Sequence, residues 1–249
     1  MSETPATVAI EIVDLHKRFG REVVLDGVDL RVATAESVAI LGRSGTGKSV
    51  LLRLIAGLQE PDSGSIAIDG QNVVGLANDR LNKIRLRLGY LFQDAALYDS
   101  LTIEENVAFP LRRQQRLPRS DRDARVQALL AEVGMAEAAK KMPADVSGGM
   151  KKRAALARAL ALDPDILLFD EPTAALDPIT AGEINDMIVH LKTHRRLAAI
   201  VVTHDLHTAR AVADRVAFLD KGRMVFDGRF EDLEHDRHDV VAKFVSEAA

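Results

Sequence analysis

The chain has 249 residues, 47% of them hydrophobic, enough for a well-buried core in one or two domains. A formal net charge of −4 argues against a protein whose main task is gripping a polyanion, and the absence of cysteine removes disulfide frameworks, thiolate metal sites and thiol nucleophiles. No apolar run approaches the roughly 18 residues needed to span a bilayer, and residues 1–7 lack the basic and apolar regions of a signal peptide, so the expected location is cytoplasmic, with any membrane role exerted through a partner.

Strand-like apolar runs lie at 10–13, 23–32 and 38–41. The third leads into Gly42-Arg43-Ser44-Gly45-Thr46-Gly47-Lys48-Ser49, which fits the phosphate-loop pattern G-x-x-x-x-G-K-[ST] and opens a helix at Lys48. Glycines there let successive backbone N–H groups turn toward phosphate oxygens, and the positive end of the helix faces the same charge. Lys48 is placed to reach the β and γ phosphates, and the Ser49 hydroxyl to ligate Mg²⁺. The ligand class is a nucleoside triphosphate.

Further strand runs stand at 65–68 and 88–92, after which strand signals vanish until 166. The intervening Ala/Leu/Arg-rich patterning, interrupted near Leu117-Pro118-Arg119 and Met142-Pro143, reads as a helical insertion. Within it, the stretch from Ser100 to Leu111 is amphipathic, a pattern shared by a surface helix packed on its own domain and by a coupling surface. Arg112-Arg113-Gln114-Gln115-Arg116 reads as a solvated loop rather than a nucleic-acid site. Ser147, ahead of Gly148, Gly149 and the helical run 151–161, reads as an N-cap, and such an exposed helix start is also able to bind a phosphate.

The apolar run Ile166-Leu167-Leu168-Phe169 ends in Asp170-Glu171, a buried-strand pattern delivering two carboxylates to the crevice at its carboxyl end. Asp170 is placed to hold Mg²⁺, directly or through water. Glu171 is the candidate general base for a water aimed at the γ phosphate, a role that contributes about 10² to 10⁴ in rate. A helix at about 180–194, a strand at 198–202, a helix at 206–213 and a strand at 216–219 follow. Residues 229–249 carry a charged helical pattern that reads as a cap or a regulatory contact. The alternation predicts a mainly parallel sheet covered by helices.

The phosphate loop, Ser147-Gly148-Gly149-Met150 and the acidic strand, in that order, resemble the ABC (ATP-binding cassette) ATPases over essentially the whole chain. The resemblance implies an α/β P-loop NTPase (RecA-like) fold, its mainly parallel sheet joined by an N-terminal antiparallel β subdomain and a helical insertion. It implies one ABC ATPase domain over 8–245, with a RecA-like core at about 8–92 and 163–228, a helical subdomain at about 93–162 and a helical tail at 229–249. Phe19 matches the aromatic that stacks on adenine, and Gln93 the glutamine that senses Mg²⁺ and the attacking water and couples to a membrane subunit. Asp177, in Ala175-Leu176-Asp177, matches a dimer-contacting loop, and His204 the switch histidine at the γ phosphate.

The implied catalytic set is therefore Lys48, Gln93, Glu171 and His204. Nucleotide contacts fall to Phe19, Gly42, Arg43, Ser44, Gly45, Thr46, Gly47, Lys48, Ser49, Ser147, Gly148, Gly149 and Asp177, and Mg²⁺ to Ser49, Gln93 and Asp170. Met150 and Val146 depart from the usual Gln and Leu of the signature, and Ala175 stands where many relatives carry Ser.

The same resemblance implies two chains arranged head to tail, each ATP lying between one chain's phosphate loop and the other's Ser147. They would work at the cytoplasmic face of the inner membrane, against an integral membrane permease and with no nucleic-acid partner. The stretch from Asp94 to Leu111, the run from Gly45 to Leu52 and the methionine-ending signature look like ATPases of MCE-type lipid transporters, among them the maintenance-of-lipid-asymmetry system. That implies phospholipid cargo and an MCE-domain lipid-binding partner. An ATPase for another cargo, such as polar amino acids, is the alternative within the class. A non-transport cassette is disfavoured by the lack of tandem cassettes and long coiled-coil insertions.

Overall fold

The computed structural model describes residues 7–114, 118–236 and 238–248, so the leading residues 1–6, the Gln115-Arg116 end of the basic run and the break expected at Leu117 lie outside the described residues. Strands β1 (Val8–Phe19) and β2 (Glu22–Ala33) make a long antiparallel hairpin. They are followed by β3 (Ser37–Leu41), helix α1 (Lys48–Ile55), β4 (Ser63–Ile68), β5 (Gln71–Asn72), α2 (Asn78–Arg85) and β6 (Leu88–Leu91). Three longer helices come next, α3 (Ile103–Gln114), α4 (Arg119–Glu132) and α5 (Gly148–Ala159). The chain then runs through β7 (Ile166–Asp170), α6 (Pro178–Arg195), β8 (Ala198–Thr203), α7 (Leu206–Val212), β9 (Arg215–Asp220), β10 (Arg223–Gly228), α8 (Phe230–Leu233) and α9 (Asp239–Ala248).

Two sheets result. The first, in the order β2-β1-β4-β5, is antiparallel and buries alternate residues: Val28, Leu30 and Val32 point inward while Asp29 and Arg31 stay in solvent. The second runs β10-β9-β3-β8-β7-β6, parallel except for β10. Every residue of β3, β7 and β8 is buried, which is why these strands read as unbroken apolar runs. Helix α1 lies between the sheets, where Leu51, Leu52 and Ile55 share a core with Ile10, Ile12, Ile66, Ile200 and Val202. The predicted α/β fold, with its mainly parallel sheet, antiparallel β portion and helical stretch, is the observed one.

Three elements escaped the sequence reading. In β5 the two residues are polar and exposed, and α2 buries only Ile84 among its eight residues, so neither carries a hydrophobic period. Strand β10 is a half-buried edge strand that pairs back on β9 across Lys221-Gly222, both in left-handed conformation.

The amphipathic stretch near 100–111 begins its helix later than its pattern suggested, because Thr102 and Glu105 form a capping box. The Thr102 N–H donates to Glu105 Oε2 at 2.9 Å, and the Glu105 N–H donates to Thr102 Oγ1 at 3.3 Å. The next residue, Asn106, is fully buried. It accepts from the Tyr98 N–H at 2.7 Å and donates to the Tyr98, Leu101 and Thr102 carbonyls at 3.0–3.1 Å, closing the loop ahead of the helix. Ile103, Val107, Ala108 and Leu111 face a second core built with α4 and α5, so this face packs on its own chain.

Behind β3 and β9, α9 inserts Val241 and Phe244 into a third core, with Phe244 edge-on to Phe218 at 5.0 Å between ring centroids. Phe218→Ala removes a fully buried ring and is expected to cost about 3–5 kcal/mol, read as a lower midpoint in urea at unchanged slope. A loss below about 1 kcal/mol would mean that this core closes up around the missing ring.

Candidate active site

The buried run of β3 ends at Leu41, and the chain turns at once through Gly42. A Cβ on Gly42 would stand 2.4 Å from the Leu219 carbonyl oxygen of β9, and one on Gly47 would stand 2.9 Å from that of Val24 on β2. Gly47 also has φ +102°, a conformation that side chains rarely adopt. The loop is thus held against both sheets by positions where only glycine fits. Arg43, Ser44 and Gly45 at its crest are exposed. Thr46 Oγ1 donates to the Arg43 carbonyl at 2.9 Å and tightens the turn.

Lys48 opens α1 and folds its side chain back into the loop, where Nζ donates to the Gly42 carbonyl at 2.7 Å and the Arg43 carbonyl at 2.9 Å. Its residue is only 6% exposed, and Nζ stands 4.0 Å from Glu171 Oε1. Burial pushes this ammonium below its ordinary pKa, and attraction to Glu171 and then Asp170 offsets part of the shift.

Strand β7 carries Asp170 and then Glu171 to the same end of the sheet. Asp170 is 2% exposed; Oδ1 accepts from Ser49 Oγ at 2.7 Å and Oδ2 from the Tyr90 hydroxyl at 3.4 Å. Burial, and next the Asp170 charge, push the Tyr90 hydroxyl pKa well up, so it stays a donor.

Glu171 leaves the strand with φ +47°, uncommon for a side-chain-bearing residue, while its N–H still donates to the Val202 carbonyl at 3.0 Å. That turn points its carboxylate at β8's end. Oε2 accepts from Thr203 Oγ1 at 3.1 Å, and both oxygens lie 3.0 Å from His204 Nδ1. An ionised carboxylate only accepts, so the bond to His204 requires the proton on Nδ1.

The structure therefore brings Lys48, Ser49, Asp170, Glu171 and His204 into one connected cluster. Gln93, just beyond β6, presents an exposed side chain, while its carbonyl accepts from Lys152 Nζ. Phe19 ends β1 with its ring 46% exposed, outside the core, and Lys17 Nζ stands 5.3 Å from its centroid.

The signature residues stand apart from this cluster. Ser147 caps α5 as expected, its Oγ accepting from the Met150 N–H at 3.3 Å, and among the described residues it makes no hydrogen bond to the phosphate loop. Gly149 abuts Thr180, where a Cβ would come within 2.4 Å of Cγ2. Asp177 caps α6, accepting from the Ile179 and Thr180 N–H groups at 3.1 and 3.0 Å and from the Thr180 hydroxyl at 2.6 Å. The hydroxyl bond, with the backbone bonds after it, holds the Asp177 carboxyl below its ordinary pKa.

Sequence reasoning missed Thr203, Lys152 and the role of Tyr90. Lys152 did leave a trace: Gly149 three residues before it and Ala155 and Leu156 three and four after it share its helix face and are buried.

The sequence model of the ABC transporter family matches residues 25–174. Similar proteins include the methionine import ATP-binding protein MetN of Rhizobium johnstonii, 43% identical over 220 residues, covering 88% of this chain and 60% of that protein. MetN of Xanthomonas oryzae pv. oryzae is 43% identical over 244 residues, covering 96% of this chain and 72% of that protein. MetN 2 of Pseudomonas aeruginosa is 40% identical over 244 residues, with 96% and 73% covered.

Among solved structures, the dimeric ATP-binding cassette MJ0796, in a post-hydrolysis state bound to ADP and Pi, superposes with a TM-score of 0.81 at 34% identity, over 88% of this chain and 98% of that one. CbiO1 of Clostridium perfringens, part of the cbiONQ transporter complex, gives 0.84 at 28% identity over 93% and 92%. Among the described residues no helix is long and apolar enough to cross a membrane.

These relatives correct the expected phospholipid cargo and MCE-domain partner, since the proteins 40–43% identical to this chain are methionine import ATPases. The physical reason is local. In the stretch from Asp94 to Leu111, Thr102, Glu105 and Asn106 are spent on a helix cap and a loop closure, and Met150 packs against the helical core. Such residues report on how the insertion folds, not on what is carried.

Lys48→Ala is expected to weaken ATP binding and to lower steady-state hydrolysis by about 10² or more, the scale of losing one charge-stabilising donor. Normal turnover in that variant would remove the phosphate contact. Thr203→Val should cost roughly tenfold in kcat through the lost bond to the Glu171 carboxylate while ATP affinity holds, and a fall in affinity alone would place Thr203 elsewhere in the mechanism.

Proposed function

This chain belongs to the ABC transporter family of ATPases, and from that premise we propose that it powers an amino-acid importer, with methionine as the first cargo to test. The observation that carries the cargo is the identity of 40–43% to methionine import ATP-binding proteins across 88–96% of the chain. The chain spans 60–73% of the length of those relatives, and nothing is carried over from the remainder.

We infer that residues 8–245 act as one ABC ATPase domain, with the core, helical and tail segments laid out above. Phe19, exposed at the end of the first hairpin, offers its ring to the adenine. The N–H groups of Gly42, Arg43, Ser44, Gly45, Thr46, Gly47, Lys48 and Ser49 surround the phosphates. Lys48 exchanges the neutral carbonyls of Gly42 and Arg43 for charged β and γ oxygens, a stronger class of hydrogen bond.

Mg²⁺ fits this donor set. The Ser49 hydroxyl and Asp170 carboxylate converge at 2.7 Å and both offer hard oxygens, and the exposed side chain of Gln93 would offer a third. When bound, the ion neutralises charge on the phosphates. Glu171 accepts a proton from the attacking water, its carboxylate steadied by Thr203 and His204.

The second half of the nucleotide site comes from another copy. Ser147, Gly148 and the Asp177 loop are exposed side by side, as a head-to-tail pair requires, and the similar MJ0796 cassette was solved as a dimer. ATP drives work only by favouring the closed pair over the open one. An integral membrane permease at the cytoplasmic face of the inner membrane would turn that closure into transport.

Glu171→Gln is expected to bind ATP, hydrolyse it at least about 10²-fold more slowly and accumulate as the closed pair in size-exclusion chromatography with ATP and Mg²⁺. A variant that stays monomeric where ATP pairs other slow variants would count against the base assignment. For the cargo, the chain purified with its permease in lipid vesicles should accumulate labelled methionine only with ATP. Intact ATPase activity with no response to any amino acid would sink the cargo and leave the ATPase standing.

A further inference from the structure

We propose that Lys152 is a positioning residue for hydrolysis, fixing the Gln93 loop and the backbone of Glu171 to helix α5 and so to the signature residues at that helix's start. The inference rests on the reading of Glu171 as the base. Lys152 is 5% exposed, and its ammonium donates to the Gln93 carbonyl and, at 3.0 Å, to the Glu171 carbonyl. Among the described residues no carboxylate oxygen lies within ion-pairing distance of it. Taking an ammonium out of water is unfavourable, and an apolar side chain on this face of α5 would avoid that desolvation. What the charge gains here is two strong bonds, to carbonyls just beyond the paired ends of β6 and β7, together with attraction to Asp94, Asp170 and Glu171.

A second cation on the same helix supports the same linkage. Arg158 donates to the Ala95 and Ala96 carbonyls at 2.8 and 2.7 Å, and these two residues have φ of +60° and +49°. Consecutive left-handed residues persist only where their surroundings hold them. Helix α5 thus grips the segment after β6 at Gln93 through Lys152 and two to three residues later through Arg158. The same helix begins at Ser147, Gly148 and Gly149, the residues offered to a second copy. Displacement of the helix start by that copy is carried along a rigid element to Gln93 and Glu171, where water is aimed and deprotonated.

The test compares the full-length chain with Lys152→Met, which keeps the apolar stem, and Lys152→Arg, which keeps a cation with several donors. Thermal melts establish that each variant is folded, and if the methionine variant is not, Lys152→Gln takes its place. The expected result is affinity for a non-hydrolysable ATP analogue within about threefold of the parent, kcat down about tenfold or more, and at least partial recovery with arginine, because the bonds matter to the reacting arrangement and not to binding. A folded methionine variant with kcat within about twofold of the parent, or with affinity falling in step with kcat, overturns the proposal. Glu171→Gln assayed alongside keeps the two readings apart. Hydrolysis that survives it removes the base assignment, whereas hydrolysis lost in it but kept in Lys152→Met removes the role of Lys152 alone.

Discussion

Charge buried at the carboxyl ends of the central strands is the constraint on which the rest of the site depends. Lys48, Asp170 and Glu171 are 6%, 2% and 9% exposed, and each would cost several kcal/mol if left uncompensated. The fold compensates by register. Strand β8 lies between β3 and β7, pairing Leu41 with Thr203 and Asp170 with Val202, so the residues that follow all three strands arrive at one level. Ser49, Tyr90, Thr203 and His204 then supply donors to the two carboxylates, and the loop's own carbonyls receive the ammonium. The glycines of the loop belong to the same solution, since any side chain at Gly42 would collide with Leu219 and push the lysine out of place.

A site of this kind is rigid on one side and adjustable on the other. The strands and α1 are locked into the core between the sheets, whereas α5, with the signature at its start, packs in the second core and reaches the Gln93 segment through individual polar bonds. Nucleotide contacts built on the rigid side give affinity. On the proposed reading, contacts routed through α5 would give timing, since a second copy would meet the start of that helix. The adjacency of Gly149 to Thr180 and of Gly148 to Leu176 joins that helix start to the Asp177 loop, so both would sense the same encounter.

What the sequence made legible follows from where each residue's job is local. The phosphate loop is written in consecutive residues, the acids sit at the end of an unmistakable buried run, and Ser147 and Asp177 cap the helices that begin beside them. Thr203, Tyr90 and Lys152 act across the sheet or between helices, and strand order β9-β3-β8-β7-β6 is not the order of the chain. No spacing rule places Thr203 against Glu171, 32 residues away. The misread cargo has the complementary cause: a run that looked distinctive because it folds in a distinctive way, with Thr102, Glu105 and Asn106 bonded to their own loop.

If Glu171 is the point through which the cluster acts, its donors have no separate effect on chemistry. A double-mutant cycle on single-turnover hydrolysis, combining Thr203→Val with Glu171→Gln, measures this directly. The account predicts that the double variant is no slower than Glu171→Gln alone, within about twofold, because Thr203 has nothing left to hold. Losses that multiply would contradict it and show Thr203 acting on the phosphates or the water by a route of its own.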